Sequence, residues 1–180
     1  ISRVKAIHVP TAGIIEFVQV SNKFAEKIHQ INPKSNLITS CEVLKIDSTN
    51  AEKVLKTSTG LFKTNTIIFC GGLQSDRLAK MDNLTLDLQI VGFRGDYFEL
   101  TDKAKHKIKH LVYPVPDPNF PFLGVHFTRM IDDNIECGPN AVFSFKREGY
   151  QRTSFSIIDT WQALIFSGTW KLFFKHWRKG

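Results

Sequence analysis

The apolar positions of this chain change their period several times, and each change predicts a different element. Val20, Phe24, Ala25, Ile28 and Ile31 recur at steps of three to five, the spacing of one helix face. They predict a helix over residues 17–31, with Ser21 or Asn22 near its start. Asn32-Pro33 stops it, because proline cannot donate and clashes with the preceding turn. Before it, residues 9–13 read as a loop around Pro10, Thr11 and Gly13. Three strands should follow. Residues 37–47 carry Cys41, Val43 and Leu44 or Ile46, residues 53–57 alternate around Val54, and residues 62–70 end in Ile67-Ile68-Phe69-Cys70. Ser48-Thr49-Asn50 and Ser58-Thr59-Gly60 are turn sequences. The run 67–70 suits a strand buried on both faces. It leads into Gly71-Gly72 and a helical pattern over residues 73–81.

In the second half, residues 86–100 read as one long strand. Its even positions are apolar except where Arg94 and Asp96 interrupt them. Residues 101–110 are polar and basic, a loop or short helix. Residues 113–118 hold too many prolines for a central strand and predict an edge strand running into a rigid loop. Residues 122–129 alternate again, with Leu123, Val125 and Phe127 on one face and Phe122, Gly124, His126 and Thr128 on the other. Asp132-Asp133-Asn134 makes a solvated hairpin turn, and residues 135–139 return. Beyond Tyr150 the pattern is helical: Phe155, Ile158, Leu164, Ile165, Trp170, Phe173, Phe174 and Trp177 form apolar stripes with basic residues between them. Such a stripe fits a membrane surface, but more often packs on its own protein. The predicted class is α+β, with a mixed or antiparallel sheet and helices.

Composition narrows this picture. With 42% hydrophobic and 23% charged residues, the 180-residue chain is expected to be globular, as one domain or two small ones. No apolar run approaches the roughly 20 residues of a membrane span. Residues 1–4 lead into no secretory signal. The chain does not begin with Met, so the expectation is a piece of a longer polypeptide. Cys41, Cys70 and Cys137 are an odd number and widely spaced, which fits neither a disulfide framework nor a zinc site. They point to a reducing, cytoplasmic compartment. The net charge of +7 comes from scattered cations, apart from a tail cluster of Lys171, Lys175, Arg178 and Lys179. It does not make the stripe of a nucleic-acid binder.

Candidate chemistry gathers between residues 93 and 150. Arg94 on an apolar face needs a partner, and both Asp96 and a ligand carboxylate would serve. Gly124 beside His126 leaves room for something flat on that strand face. Arg129 falls on the opposite face from His126 in a regular strand. The strand 67–70, its two glycines and the following helix offer backbone N–H groups and close approach to a ligand, or simply a tight turn. No P-loop, G-x-S-x-G or H-E-x-x-H motif is present, and no metal site is expected.

Several motifs in order carry a family resemblance: Phe93-Arg94-Gly95-Asp96-Tyr97-Phe98, Tyr113-Pro114-Val115-Pro116-Asp117-Pro118, residues 121–129 and Gly138-Pro139-Asn140-Ala141-Val142. With Pro10-Thr11-Ala12-Gly13-Ile14 and residues 70–77, they resemble the middle of L-2-hydroxyglutarate oxidases, FAD enzymes of the D-amino-acid oxidase-like superfamily. The resemblance implies a parent that oxidises L-2-hydroxyglutarate, or a similar 2-hydroxy acid, to the 2-oxo acid, with electrons passing through FAD to oxygen or a membrane quinone pool. It implies a partial FAD-binding α/β domain over residues 1–82, a substrate-domain sheet over 83–150 and a helical extension of that domain over 151–180. His126 would be the base, Arg94 and Arg129 the carboxylate holders, and Tyr97 and Tyr113 hydroxyl donors. Val43, Cys70, Gly71, Gly72 and Leu73 would line the FAD. The location expected is cytoplasmic, peripheral at the inner membrane if quinone is the acceptor. The family's N-terminal G-x-G-x-x-G and its C-terminal segment do not occur in these residues. The expectation is therefore that the chain needs the remaining parts of its own polypeptide to bind FAD and act. An amine or amino-acid oxidase of the same superfamily is the alternative enzyme, and a membrane-surface interaction module the alternative outside catalysis.

Overall fold

In a computed structural model, residues 5–48, 51–119 and 121–177 are described. Thr49 and Asn50 of the first expected turn, Phe120, residues 1–4 and the tail cations Arg178 and Lys179 lie outside them. The chain forms two compact units, one from Ile1–Ser35 and Gly95–Val142, the other from Asn36–Arg94 and Phe143–Gly180. Neither follows the divisions at residues 82 and 150. Two small three-stranded sheets and, among the described residues, five α-helices give the α+β fold expected.

The first unit holds α1 (Phe17–Ile31), α3 (Asp102–Lys105) and most of one sheet. The helix keeps the bounds its periodicity predicts. Its N-cap is Glu16, whose carboxylate accepts from the Val18 N–H at 3.0 Å, so Ser21 lies one turn inside. The sheet runs β4 (Phe93–Glu99), β6 (Ile135–Phe143), β5 (His126–Arg129) in space. β5 and β6 pair antiparallel, with His126 opposite Gly138 and Thr128 opposite Glu136. The unit boundary falls inside β4, between Arg94 and Gly95.

Three expectations for this sheet need correction. The strand predicted over 86–100 begins only at Phe93. Upstream, the backbone bonds outside any ladder: the Ile90 N–H donates to Asp76 and the Ile90 carbonyl accepts from Arg147. The strand predicted over 122–129 is regular only from His126, and Leu123 and Val125 stay half exposed. The edge strand over 113–118 shrinks to a single bridge, Val112 to Phe127, because the prolines that follow have no N–H to donate. The returning strand, in contrast, runs past Pro139 to Phe143.

The second unit holds the meander β1 (Val43–Asp47), β2 (Lys53–Thr57), β3 (Gly60–Thr64), then α2 (Ser75–Met81), α4 (Ile157–Ile165) and α5 (Ser167–His176). β2 matches its predicted span. Thr57 Oγ1 closes the turn by donating to the Gly60 carbonyl at 2.8 Å. The predicted buried strand 62–70 is not formed beyond Thr64. The Ile67–Cys70 run pairs with no strand among the described residues, and Ile68 is 84% exposed. A strand needs a ladder partner for its backbone, and none lies beside this run.

What closes the second unit is polar. Arg147 and Asp76 form a buried ion pair, and the guanidinium also donates to the carbonyls of Leu73 (2.9 Å) and Ile90 (3.1 Å). Every partner is matched, as a buried charge requires. Arg77 pairs with Asp159 of α4, and the Arg147 N–H donates to the same carboxylate at 2.9 Å. Burial pushes both carboxyls up. For Asp76 the hydrogen bonds and charge of Arg147, and for Asp159 the Arg147 N–H and then Arg77, outweigh it and hold them below the usual carboxylate range. Phe93, Phe143 and Phe173 pack edge to face nearby, with centroids 5.6–6.3 Å apart.

Candidate functional site

The chemistry of the first unit centres on His126, the first residue of β5 and 5% exposed. Its ring lies between two aromatics. Tyr113 stacks on it at 4.4 Å and 18°, and Tyr97 meets it edge-on at 6.3 Å. Nδ1 is 2.9 Å from the carbonyl oxygen of Gly124. A carbonyl can only accept, so Nδ1 is the donor, and Nε2 is the nitrogen left outside this bond. The sheet thus holds the imidazole ring in one orientation, tied through Nδ1 to the Gly124 carbonyl.

Two glycines allow this packing. A Cβ at Gly138, opposite His126, would stand 2.7 Å from Tyr97 Cδ1 and 2.9 Å from the Asp96 carbonyl. A Cβ at Gly124 would stand 2.8 Å from Pro114 Cγ. This corrects the reading that Gly124 keeps the face open. The space it leaves is taken by Pro114, and the flat group on His126 is the ring of Tyr113.

Thr128, placed on this face by the alternation, is joined there by Glu136, which the sequence reading gave no role. Thr128 is two residues from His126 in a strand, hence on its side of the sheet. Thr128 Oγ1 lies a long 3.4 Å from the Tyr113 hydroxyl. Tyr113, Thr128 and Glu136 also line a cleft of about 670 Å³, with Ile14, Phe17 and Met130 among its apolar walls. That volume suits a small molecule. Its ionisable lining, however, is Glu16, Glu99, Asp132 and Glu136, all acidic. A dicarboxylate would find no cation there. Partial burial, then the charge of Glu136 and then Tyr113, raise the Tyr97 phenol above its ordinary pKa, so Tyr97 remains a proton donor at neutral pH.

The other expected site residues divide between the two units. Arg129 is on the sheet face away from His126 and pairs with Asp133 at 2.9 Å, both side chains open to solvent. Asp132 caps its own turn through the N–H of Asn134. Arg94 belongs to the second unit, where its Nη1 donates to the Gln151 carbonyl at 2.9 Å. Val43, Cys70, Gly71, Gly72 and Leu73 are in that unit as well.

The fit of this last set to a flavin nucleotide can be tested glycine by glycine. Gly72 has φ +51°, and a Cβ there would meet nothing within 4 Å. Cys70, Gly72 and Leu73 are exposed, so the turn presents open backbone to an approaching group. A Cβ at Gly71, by contrast, would collide with Leu78 Cδ1, so that glycine serves packing. Val43 is half-buried, opposite Thr57 in β1. The open backbone at Gly72 is compatible with the approach of a flat cofactor, and no Gly-rich pyrophosphate cradle accompanies it in these 180 residues.

Comparison with known proteins gives the context. A family model described as FAD dependent oxidoreductase matches residues 2–165. L-2-hydroxyglutarate dehydrogenase of Indibacter alkaliphilus is 42% identical over 178 residues, covering 98% of this chain and 44% of the relative. The protein of the same name from Escherichia coli K12 is 42% identical over 175 residues (97% of this chain, 41% of the relative). The mitochondrial L-2-hydroxyglutarate dehydrogenase of Caenorhabditis elegans is 41% identical over 181 residues (98% and 41%). The chain therefore spans less than half the length of the curated relatives it matches.

Proposed function

The chain belongs to the FAD-dependent oxidoreductase family, and from that premise we propose that it supplies the base-bearing sheet and part of the cofactor domain of an enzyme oxidising L-2-hydroxyglutarate, or a close 2-hydroxy acid, to the 2-oxo acid. The relatives bear that activity in their names. The observation that supports the reading is the buried His126, whose Nδ1–H is tied to the Gly124 carbonyl, which leaves Nε2 as the nitrogen we assign to the base role.

In this reading Nε2 of His126 takes the proton of the substrate hydroxyl. The O–H electron pair becomes the second bond of the C2 carbonyl, and the C2–H bond breaks with its pair leaving as hydride. The hydride acceptor would be FAD when bound, with oxygen or a membrane quinone as the onward acceptor we assign. Tyr113 and Tyr97 hold the imidazole plane, which keeps the base in a near-attack geometry. Val43, Cys70, Gly72 and Leu73 would line the cofactor. The two substrate carboxylates need cations; Arg94 and Arg129 remain the residues we assign, and for Arg129, on the sheet face away from His126, the role requires release from Asp133 and a rearranged strand end. The acidic cleft is not where they would bind. The free Cys41, Cys70 and Cys137 support a reducing compartment.

The names of the relatives favour the hydroxy acid over an amine or amino acid. The test is turnover by a polypeptide of the relatives' length carrying this chain. With an artificial electron acceptor, L-2-hydroxyglutarate is expected to be oxidised in preference to its D enantiomer and to amino acids. Oxidation of amino acids alone would overturn the assignment.

A further inference from the structure

His126 is covered too well for a substrate to reach. A base must come within about 3 Å of the hydroxyl whose proton it takes. Yet the ring is 5% exposed, with Tyr113 on one face, Tyr97 edge-on and Nδ1 on the Gly124 carbonyl. For the base to act, one cover has to leave.

The two tyrosines are held very differently. Tyr97 sits within β4, its ring packed on the backbone of Gly138, where an added Cβ would stand 2.7 Å away. Tyr113 belongs to no strand and is itself 53% exposed. Among the described residues, backbone bonds tie its segment to β5 only at the preceding Val112, at 3.0 and 2.9 Å with Phe127. Beyond it Pro114, Pro116 and Pro118 have no N–H to donate, and Val115 is 90% exposed. Rotation of one side chain beside a fixed Val112 would uncover the imidazole.

A place for the ring adjoins it. Tyr113 and Thr128 line the acidic cleft, whose walls of Ile14, Phe17 and Met130 suit an aromatic ring although its carboxylates do not suit the substrate. Three of those carboxylates are engaged: Glu16 with the Val18 N–H, Asp132 with the Asn134 N–H, and Glu99 facing Lys105. Glu136 has no hydrogen bond or ion pair among the described residues. It lies across the ladder from Thr128, which the Tyr113 hydroxyl already approaches at 3.4 Å. A phenol O–H donated to that carboxylate is a charge-assisted bond, which offsets the stacking lost on leaving His126.

We propose that Tyr113 is a gate on His126: its ring swings off the imidazole into the acidic cleft when substrate enters, and Glu136 accepts its O–H there. The proposal rests on His126 being the base. Between turnovers Tyr113 holds the imidazole plane, and while the gate is open Tyr97 and the Gly124 carbonyl keep it.

NMR reads the gate directly, in a polypeptide of the relatives' length with isotope-labelled histidine. A ring stacked at 4.4 Å moves the carbon-bound protons of His126 upfield, and His126→Gln identifies their resonances. The product 2-oxo acid, 2-oxoglutarate, at a concentration that inhibits turnover, is expected to remove the upfield shift. Tyr113→Leu should remove it without ligand. Filling the cleft closes the outward position. Met130→Trp, or Ile14→Trp from the chain before α1, should lower turnover at least about tenfold, while the volume-matched Met130→Leu stays within about twofold. Far-UV circular dichroism and urea midpoints establish that these variants fold, and the ligand measurement on the unaltered protein decides even where one does not. An upfield shift that survives inhibiting 2-oxoglutarate, or wild-type turnover in both filled variants, would overturn the gate. Normal turnover by His126→Gln would overturn the base assignment itself, and the gate with it.

Discussion

Nδ1 of His126 and the carbonyl oxygen of Gly124 lie 2.9 Å apart, two residues along one chain. The bond fixes the ring from the backbone, so no second side chain is needed to orient the base. Replacing His126 with Ala or Gln in a polypeptide of the relatives' length should cut turnover by about 10²- to 10⁴-fold. The flavin content, read from its visible absorbance, should stay within twofold. Near-normal turnover would remove His126 from the mechanism.

Gly138 gives a second prediction. Gly138→Ala places a methyl where the Tyr97 ring and the Asp96 carbonyl already stand. The overpacking should cost about 1–3 kcal/mol, visible as a lower urea midpoint. It should also lower turnover, because the displaced Tyr97 ring is one of the two that hold His126.

Arg129 separates binding from stability. Its pair with Asp133 is solvent-exposed, so Arg129→Ala should change stability by no more than about 1 kcal/mol. If the guanidinium holds a substrate carboxylate, KM rises while the melting temperature is unchanged. Equal KM in wild type and variant would leave Arg94 as the carboxylate holder.

The clasp between Asp76 and Arg147 should behave in the opposite way. Arg147→Ala leaves a buried carboxylate with its main partner gone, a loss of about 3–5 kcal/mol. Its pH dependence has a definite sign. The folded pKa of Asp76 is lowered, so its contribution is complete above the unfolded value of about 3.9. That contribution disappears as pH falls through the folded value. The gap in urea midpoint between the wild type and Asp76→Asn should therefore be widest at neutral pH and close on acidification toward about pH 2. A gap that widens in acid would refute this.

The last prediction concerns the cofactor. The chain offers an open turn at Gly72 and no pyrophosphate cradle, so the purified 180 residues should carry far less than one flavin per chain. A stoichiometric yellow protein would show that the remaining parts of the relatives are not needed for binding.

Some of this could be read from the residues alone, and the reason differs by element. α1 was legible because its period and its Asn32-Pro33 stop are both local. β2 was legible because turn residues bound it on either side. The run Ile67–Cys70 misled because composition reports what a segment could pair with, and no partner strand lies beside it among the described residues. Residues 86–92 misled for a different cause: their backbone is captured by Asp76 and Arg147, and a contact between side chains 71 positions apart leaves no mark on local alternation. At the candidate site, the type and face of His126 were readable. Its bond to the Gly124 carbonyl and its cover by Tyr113 were not, because the first depends on the backbone just before the strand and the second on how residues 112–114 fold back on β5. The terminal stripe was legible as amphipathic, whereas its orientation required knowing that Asp159 and Gln162 point inward.

The same clasp has a consequence for how the protein is made. The second unit is split in sequence, and residues 95–142 separate its halves. Asp76 leaves the ribosome 71 residues before Arg147, an interval of roughly four to fourteen seconds at ordinary rates of synthesis. By then the first unit has emerged whole and can close. The opening half of the second unit must wait, with its carboxylate and the Ile90 backbone still in water. That waiting segment is open to a nascent-chain chaperone, and translation speed across residues 95–147 sets how long it stays so.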